Sequence, residues 1–242
     1  FRMLYAIDAH AIGRRLTGNE VYVRNLVSNL ALVDPTAEFL AYHSSGSSNG
    51  WAPAGVERQK VAGNPFVRLG FDLSRSLRRD RPGLLHVQYT APLGCPVPVV
   101  VTVHDVSFLD HPEYFQFLRA RQLRLTVSRT VRAAAKVLTG SEFSRASIAR
   151  AYGLDPGAIA VVPNAASPVF RPMDRKKAEQ GVLARFGISG PFLLAVGDLQ
   201  PRKNQVGLVR AFAEMTRAVP RLAHSLVLAG QDTWFSGQVR ES

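Results

Sequence analysis

Two stretches of this 242-residue chain set charged or polar side chains where a strand gives way to a helix. In one, Phe192–Val196 is an apolar run of strand length, followed at once by Gly197. A glycine there lets the backbone turn sharply or approach a ligand closely. Asn204 and Gln205 then open a segment with Val206, Val209, Phe212 and Ala213 at helical spacing. Arg202 and Lys203 therefore stand at the mouth of a helix, beside its free N–H groups and its positive dipole end. That combination suits a diphosphate. No Gly-Lys-Ser/Thr and no Gly-x-Gly-x-x-Gly accompanies it, so neither a Walker loop nor the dinucleotide fingerprint is present. From spacing alone, a βα unit whose Arg202 and Lys203 are merely solvated stays open. In the other stretch, residues 98–104 form a β-branched run that ends in His104 and Asp105. A polar pair at the carboxyl end of a central parallel strand is where ligands meet an open α/β sheet.

The remaining elements must position these groups. Residues 2–8 read as a buried strand, followed by a loop with Gly13 and Gly18. A helix over 19–32 follows, capped by Asn19 and stopped at Asp34-Pro35. Gly18 serves either a ligand or a simple turn. Further strands are expected at 39–43, 56–61 and 84–89, with a polar Gly/Ser loop over 44–55. Residues 66–80 are amphipathic, with Phe66, Leu69, Leu73 and Leu77 on one side and Arg68, Arg75, Arg78 and Arg79 elsewhere. The basic flank fits a solvated face or a contact with anionic lipid. Pro112 opens an Arg-rich helix to about Ala135, with Leu123, Val127, Val131 and Ala134 as its apolar stripe. A short strand at 136–140, a helix opened by Ser141-Glu142-Phe143-Ser144 and a strand at 159–163 complete this half.

Residues 165–172, rich in Pro, Ala and Ser, read as a linker. The pattern then restarts with a helix over 174–186, the strand and loop described above, a second helix, and a strand at 226–229. The expected architecture is α/β, with two Rossmann-like doubly wound domains at 1–172 and 173–242. A sheet of two strands cannot close its own core, so the second domain is expected to be incomplete.

Thirty Lys and Arg against eighteen Asp and Glu give a formal charge of +12, almost all of it arginine. Nucleic acid, anionic membrane or phosphorylated substrates could each account for it. The arginines are not interleaved with aromatics and no nucleic-acid module signature appears, so no nucleic-acid partner is expected. The lone Cys95 excludes an internal disulfide and fits a reducing compartment. No apolar run approaches transmembrane length and no signal peptide is visible, which points to a cytoplasmic protein, with peripheral contact to the inner face of the membrane through the basic helices. There is no Asp-x-Asp motif and no His/Cys cluster, so neither a metal nor a cofactor is expected.

Taken together, Val-Gly-Asp-Leu-Gln-Pro-Arg-Lys-Asn at 196–204, followed by Leu-Val-Arg-Ala-Phe at 208–212, resembles the donor-phosphate loop of glycosyltransferase family 4, the group 1 glycosyltransferases. Residues 102–113, the Ser-Glu-Phe-Ser at 141–144 and Val-Val-Pro-Asn at 161–164 are similar to further family segments, in the right order. The resemblance implies a GT-B fold and a retaining, metal-independent transfer from a GDP- or UDP-linked sugar. The acceptor would be a glycan or lipid-linked molecule in polysaccharide or cell-envelope assembly. The Pro-Arg-Lys-Asn variant with Val-His-Asp is similar to relatives that use mannose. It implies Lys203, with Arg202, as the holder of the leaving diphosphate and His104 as a sugar contact. Asp105 would orient the loop, and Gly18, Asn19, Gly197, Asp198 and Ser141 would line the substrate site. Many relatives carry Arg or a small polar residue where this chain has Asp198. Its charge is unfavourable beside a diphosphate unless Arg202 compensates or pairs with it. Three other readings stay open on the residues: a sugar-nucleotide-binding protein without transfer activity, an epimerase of the same fold, and a basic nucleic-acid-binding domain.

Overall fold

The computed structural model describes residues 2–14, 17–44 and 51–242. Its contacts divide the chain into two compact units, Phe1–Ala165 and Ala166–Ser242. Residues 45–50 of the Gly/Ser loop expected at 44–55 lie outside the described residues.

In the first unit, strand β1 (Leu4–Asp8) leads to helix α1 (Thr17–Val33), then β2 (Glu38–His43) and β3 (Val56–Lys60). A helical run follows in three pieces: α2 (Pro65–Val67), a π-helical turn (Arg68–Asp72) and α3 (Leu73–Asp80). Next come β4 (Leu84–Gln88), β5 (Val99–Thr102), α4 (Ser107–Asp110), α5 (Phe117–Ala133), β6 (Lys136–Thr139), α6 (Glu142–Tyr152) and β7 (Ile159–Val161). The seven strands form one parallel sheet in the order β3-β2-β1-β4-β5-β6-β7. The order reverses between β1 and β4, and the crevice outside the carboxyl ends there is the ligand position of such sheets.

Alternation along the strands explains how helices cover both faces. Ala6, Leu40, Tyr42, Leu85, Val87 and Val101 point one way and pack with Leu73, Leu77, Val127, Val131 and Ile148. Ile7, Phe39 and Ala41 point the other way, against Val23 and Val27 of α1. Beyond that apolar patch, the α1-side positions of β4 and β5 turn polar: His86, Gln88 and Thr102 are all buried. The polar stripe leads to His104.

Several expectations need correction. Asn19 does not cap α1; it is the helix's third residue, and Gly18 lies in the first turn with open space where a side chain would stand. Pro112 starts a single 3-10 turn, and the long helix begins at Phe117. In the 66–80 segment Leu73 and Leu77 are buried as expected, yet Phe66 is exposed and Arg68 is buried. The π turn inserts one residue into the ladder, so the α2 end is rotated out of phase with α3.

The second unit contains α7 (Arg175–Phe186), β8 (Phe192–Val196), α8 (Gln205–Ala218), β9 (Ser225–Ala229) and α9 (Ser236–Arg240). Strands β8 and β9 pair in parallel from Phe192↔Ser225 to Val196↔Ala229. Asp174 caps α7 through the Lys177 N–H. Residues 162–174 contain neither helix nor strand. Among the described residues, no helix is long and apolar enough to cross a membrane.

Candidate functional site

His104 lies just past β5 and is held by neighbours from three other elements and from the loop after β4. Its Nε2 is 2.9 Å from Oε1 of Gln88 at the end of β4. The Gln88 amide in turn donates to the Asn19 carbonyl in the first turn of α1, at 3.1 Å. Because the Gln88 oxygen is the acceptor, Nε2 carries the proton and Nδ1 is left as the acceptor. The ring meets Tyr22 edge-on at 4.7 Å and Tyr89 at 5.6 Å between centroids. Ser144, in the first turn of α6, donates to the His104 carbonyl at 2.9 Å. Tyr89 has a φ of +60°, a conformation that a bulky residue adopts only when its surroundings impose it.

Burial holds the His104 imidazole below its usual pKa, and the nearby Asp105 charge only partly opposes this. Asp105 accepts from both the N–H and the hydroxyl of Ser107, at 3.0 and 2.6 Å, which closes the turn after His104. Below His104, the Tyr22 hydroxyl and His86 Nε2 each lie 2.9 Å from the Thr102 hydroxyl. Burial lowers the His86 pKa to about 4, with the His104 ring acting the same way and Asp8 opposing. Ser141 is the N-cap of α6, accepting the Ser144 N–H at 3.2 Å. It thus supports the element that holds the His104 carbonyl.

The loop after β8 is built differently. Gly197 has a φ of +152°, outside the range of ordinary side-chain-bearing residues. Gly230, at the end of β9, is pressed so close that a Cβ there would lie 2.0 Å from the Gly197 carbonyl oxygen. The buried Gln205 amide donates to the Asp198 carbonyl at 3.0 Å and reaches the Gly197 carbonyl at 3.4 Å, tying the loop to α8. Pro201–Lys203 forms a 3-10 turn, and Asn204 takes the left-handed conformation (φ 50°) before α8 begins. Consequently Lys203 folds back: its stem runs past Gly197, with Cε 3.4 Å from where a Cβ on Gly197 would stand. Arg202 and Lys203 are both exposed. Asp198 Oδ1 accepts the Gln231 N–H at 3.4 Å, while Arg202 Nε donates to Gln200 at 3.1 Å.

The structure therefore gathers His104, Asp105, Asn19 and Ser141 around one end of the first sheet, and Gly197, Asp198, Arg202 and Lys203 around one loop of the second unit. Gln88, Tyr22, Tyr89 and Gln205 are the residues that sequence reasoning did not single out. Gln88, Tyr22 and Tyr89 work through partners distant in sequence, Gln88 through an atom 69 positions away, so no local motif marks them; Gln205 bonds carbonyls seven and eight positions back, within its own loop.

Comparison with known proteins bears on both halves. The profile of the family described as Glycosyltransferase Family 4 matches residues 16–168. Over 137 residues the chain is 31% identical to the O-antigen chain mannosyltransferase B of Escherichia coli, covering 56% of this chain and 35% of that one. Over 104 residues it is 33% identical to D-inositol 3-phosphate glycosyltransferase 2 of Catenulispora acidiphila, covering 42% of this chain and 23% of the relative. Among solved structures, Anabaena HepE in complex with UDP-glucose superposes over the whole chain with a TM-score of 0.65, at 17% identity and over 64% of its own length. That likeness shows the fold, which is GT-B-type. The chain thus spans about a third or less of the curated relatives it matches, and under two thirds of the structural neighbour.

Proposed function

The chain belongs to glycosyltransferase family 4, and from that premise we propose that the whole protein is a retaining, metal-independent hexosyltransferase. It would move a sugar, mannose in our reading, from a nucleotide-diphosphate donor to a glycan or lipid-linked acceptor of the cell envelope. The observation that carries the proposal is the loop after β8. Gly197 turns the chain, and the 3-10 turn sets the exposed Arg202 and Lys203 directly ahead of the N-terminus of α8. Breaking the anomeric C–O bond leaves growing negative charge on the diphosphate, and fixed positive charge there lowers the barrier without a metal. Lys203 would meet the leaving group directly and Arg202 would add charge beside it. Asp198 points its carboxylate at the Gln231 N–H, which lessens its repulsion of a bound diphosphate.

His104 would contact the sugar as it takes on oxocarbenium character. Its exposed edge is available, its Nε2 proton is committed to Gln88, and a neutral ring suits a site that passes through a cationic state. The E. coli relative is named a mannosyltransferase, which supports mannose over other hexoses. Exposed Phe66, Val67 and Phe71, beside Arg75, Arg78 and Arg79, support a peripheral contact with anionic lipid.

The test is transfer itself. The whole protein is incubated with GDP-mannose or UDP-glucose, EDTA and an envelope lipid-linked oligosaccharide fraction, and the product linkage is read by NMR. We expect label in the acceptor with the donor's anomeric configuration. Donor isomerisation without transfer would favour the epimerase reading instead.

A further inference from the structure

The loop after β8 carries a carboxylate beside its cations. Asp198 follows Gly197 directly, and the Lys203 stem lies against Gly197, with Cε 3.4 Å from where a Cβ would stand. Consecutive Cα atoms are about 3.8 Å apart, so the lysine stem and the aspartate flank a single peptide unit. A negative charge there repels the diphosphate that Arg202 and Lys203 would attract. An aspartate in open solvent could swing aside from such a ligand. Asp198 is half-buried and is gripped from two sides. On one side the exit of β9 clasps it: Oδ1 accepts the Gln231 N–H at 3.4 Å, and the Leu199 N–H donates back to the Gln231 carbonyl at 3.1 Å. The Thr233 hydroxyl donates to the Leu199 carbonyl and closes the clasp. On the other side the buried Gln205 amide donates to the Asp198 carbonyl at 3.0 Å. The carboxylate is therefore a fixed charge of the loop.

A fixed negative charge separates ligands that differ in their own charge. Transfer breaks the bond between the anomeric carbon and the β-phosphate oxygen, and the electron pair stays on that oxygen. The acceptor's hydroxyl oxygen bonds to the anomeric carbon, and its proton leaves. The product then ends in a terminal phosphate whose second ionisation lies at about pH 6, so at neutral pH it carries about one charge more than the donor. Positive charge that stabilises the leaving group also retains it once it has left. A nearby carboxylate opposes that retention in the product, where the added charge is complete, more than in the donor, where it is absent.

We propose that Asp198 is a specificity-determining residue of this loop: its fixed carboxylate weakens the free nucleoside diphosphate more than the nucleotide-sugar, and so favours release of the product. This rests on the reading of the loop as the holder of the donor's diphosphate.

The test compares two affinities in each protein. GDP and GDP-mannose, and UDP and UDP-glucose, are titrated by calorimetry in EDTA at neutral pH into the whole protein and its variants. Asp198→Asn keeps an oxygen for the Gln231 N–H and removes the charge, so its unfolding midpoint should match the parent's. Both ligands should tighten in it, the diphosphate more, moving the ratio of their affinities by about threefold or more toward the diphosphate. In transfer assays the diphosphate should become a stronger product inhibitor by a similar factor. Asp198→Ser, neutral and smaller, should move the ratio the same way. Asp232→Asn removes a neighbouring carboxylate, one that pairs with Arg240 at 2.6 Å, and should leave the ratio unchanged. If the ratio in Asp198→Asn and Asp198→Ser equals the parent's, Asp198 is only a clasp for Gln231 and the proposal falls. If Asp232→Asn moves the ratio equally, the effect is one of general charge and the proposal also falls. Lys203→Ala keeps the donor reading separate. Weakened nucleotide binding in Lys203→Ala beside an unmoved ratio in Asp198→Asn sinks this proposal alone. Undiminished binding in Lys203→Ala beside a moved ratio sinks the role given to Lys203 and leaves Asp198 its own, and a parent that binds none of the four ligands sinks both.

Discussion

The surroundings of His104 and the loop after β8 hold their polar groups in opposite ways. His104 is fixed by side chains: Gln88 and Tyr89 at the end of β4, Tyr22 of α1 and Ser144 of α6 converge on it. The loop after β8 is fixed mainly by backbone: a positive-φ Gly197, a tight contact from Gly230, a 3-10 turn and a left-handed Asn204, with the Gln205 amide tying it to α8. Its cations, Arg202 and Lys203, stay in solvent, where under the proposed function they would follow a flexible diphosphate. A ring that meets a sugar at one orientation needs a buried, precise mount. A charge that meets a diphosphate needs reach more than precision.

The contrast breaks most visibly at His104. His104→Ala should lower kcat about 100-fold or more while leaving nucleotide affinity unchanged, as expected for a group whose interaction strengthens in the transition state. Steady-state rates set beside calorimetric binding check this, and an equal loss in both would make His104 a plain binding residue. On the backbone side, Gly230→Ala should destabilise the protein by about 1–3 kcal/mol, the range for overpacking, because the new Cβ would meet the Gly197 carbonyl. Urea unfolding measures it.

Removing the mount instead of the mounted group should cost less. Gln88→Ala frees the His104 ring and the Asn19 carbonyl together, and we expect about a tenfold loss of kcat, an ordinary hydrogen bond's worth. The smallest effect concerns pH. His86 is neutral when folded, with a pKa of about 4, and unfolded histidines take up protons near 6.5. The unfolded state therefore binds more protons between those values, and stability falls as pH drops from about 6.5 to about 4. From pH 7 to 6 the loss from His86 alone should stay under about 1 kcal/mol. His86→Gln should flatten that slope in urea titrations.

The two regions also differ in how far the sequence discloses them. The loop after β8 is contiguous, so Gly197, Arg202 and Lys203 are visible in a dozen consecutive residues, and β8 has the expected bounds. His104 is visible as the end of a β-branched strand. Its mount is not, since Gln88, Tyr22 and Tyr89 meet it only after the sheet order is set. The parallel α/β alternation follows from strand and helix periods. The burial of Arg68 does not, because one residue added by the π turn rotates Phe66 out and Arg68 in. Asn19 shows the same limit on a smaller scale: a residue suited to a cap sits instead inside the helix.

The central claim, that the loop after β8 holds the donor's diphosphate, meets its most direct test in calorimetry. GDP and UDP are titrated, in EDTA, into the whole protein and its Lys203→Ala variant. We predict saturable binding of one nucleotide by the parent and an affinity about 100-fold weaker in the variant, the scale of a lost charge-assisted contact. Equal affinity in parent and variant would contradict the claim and place the diphosphate elsewhere.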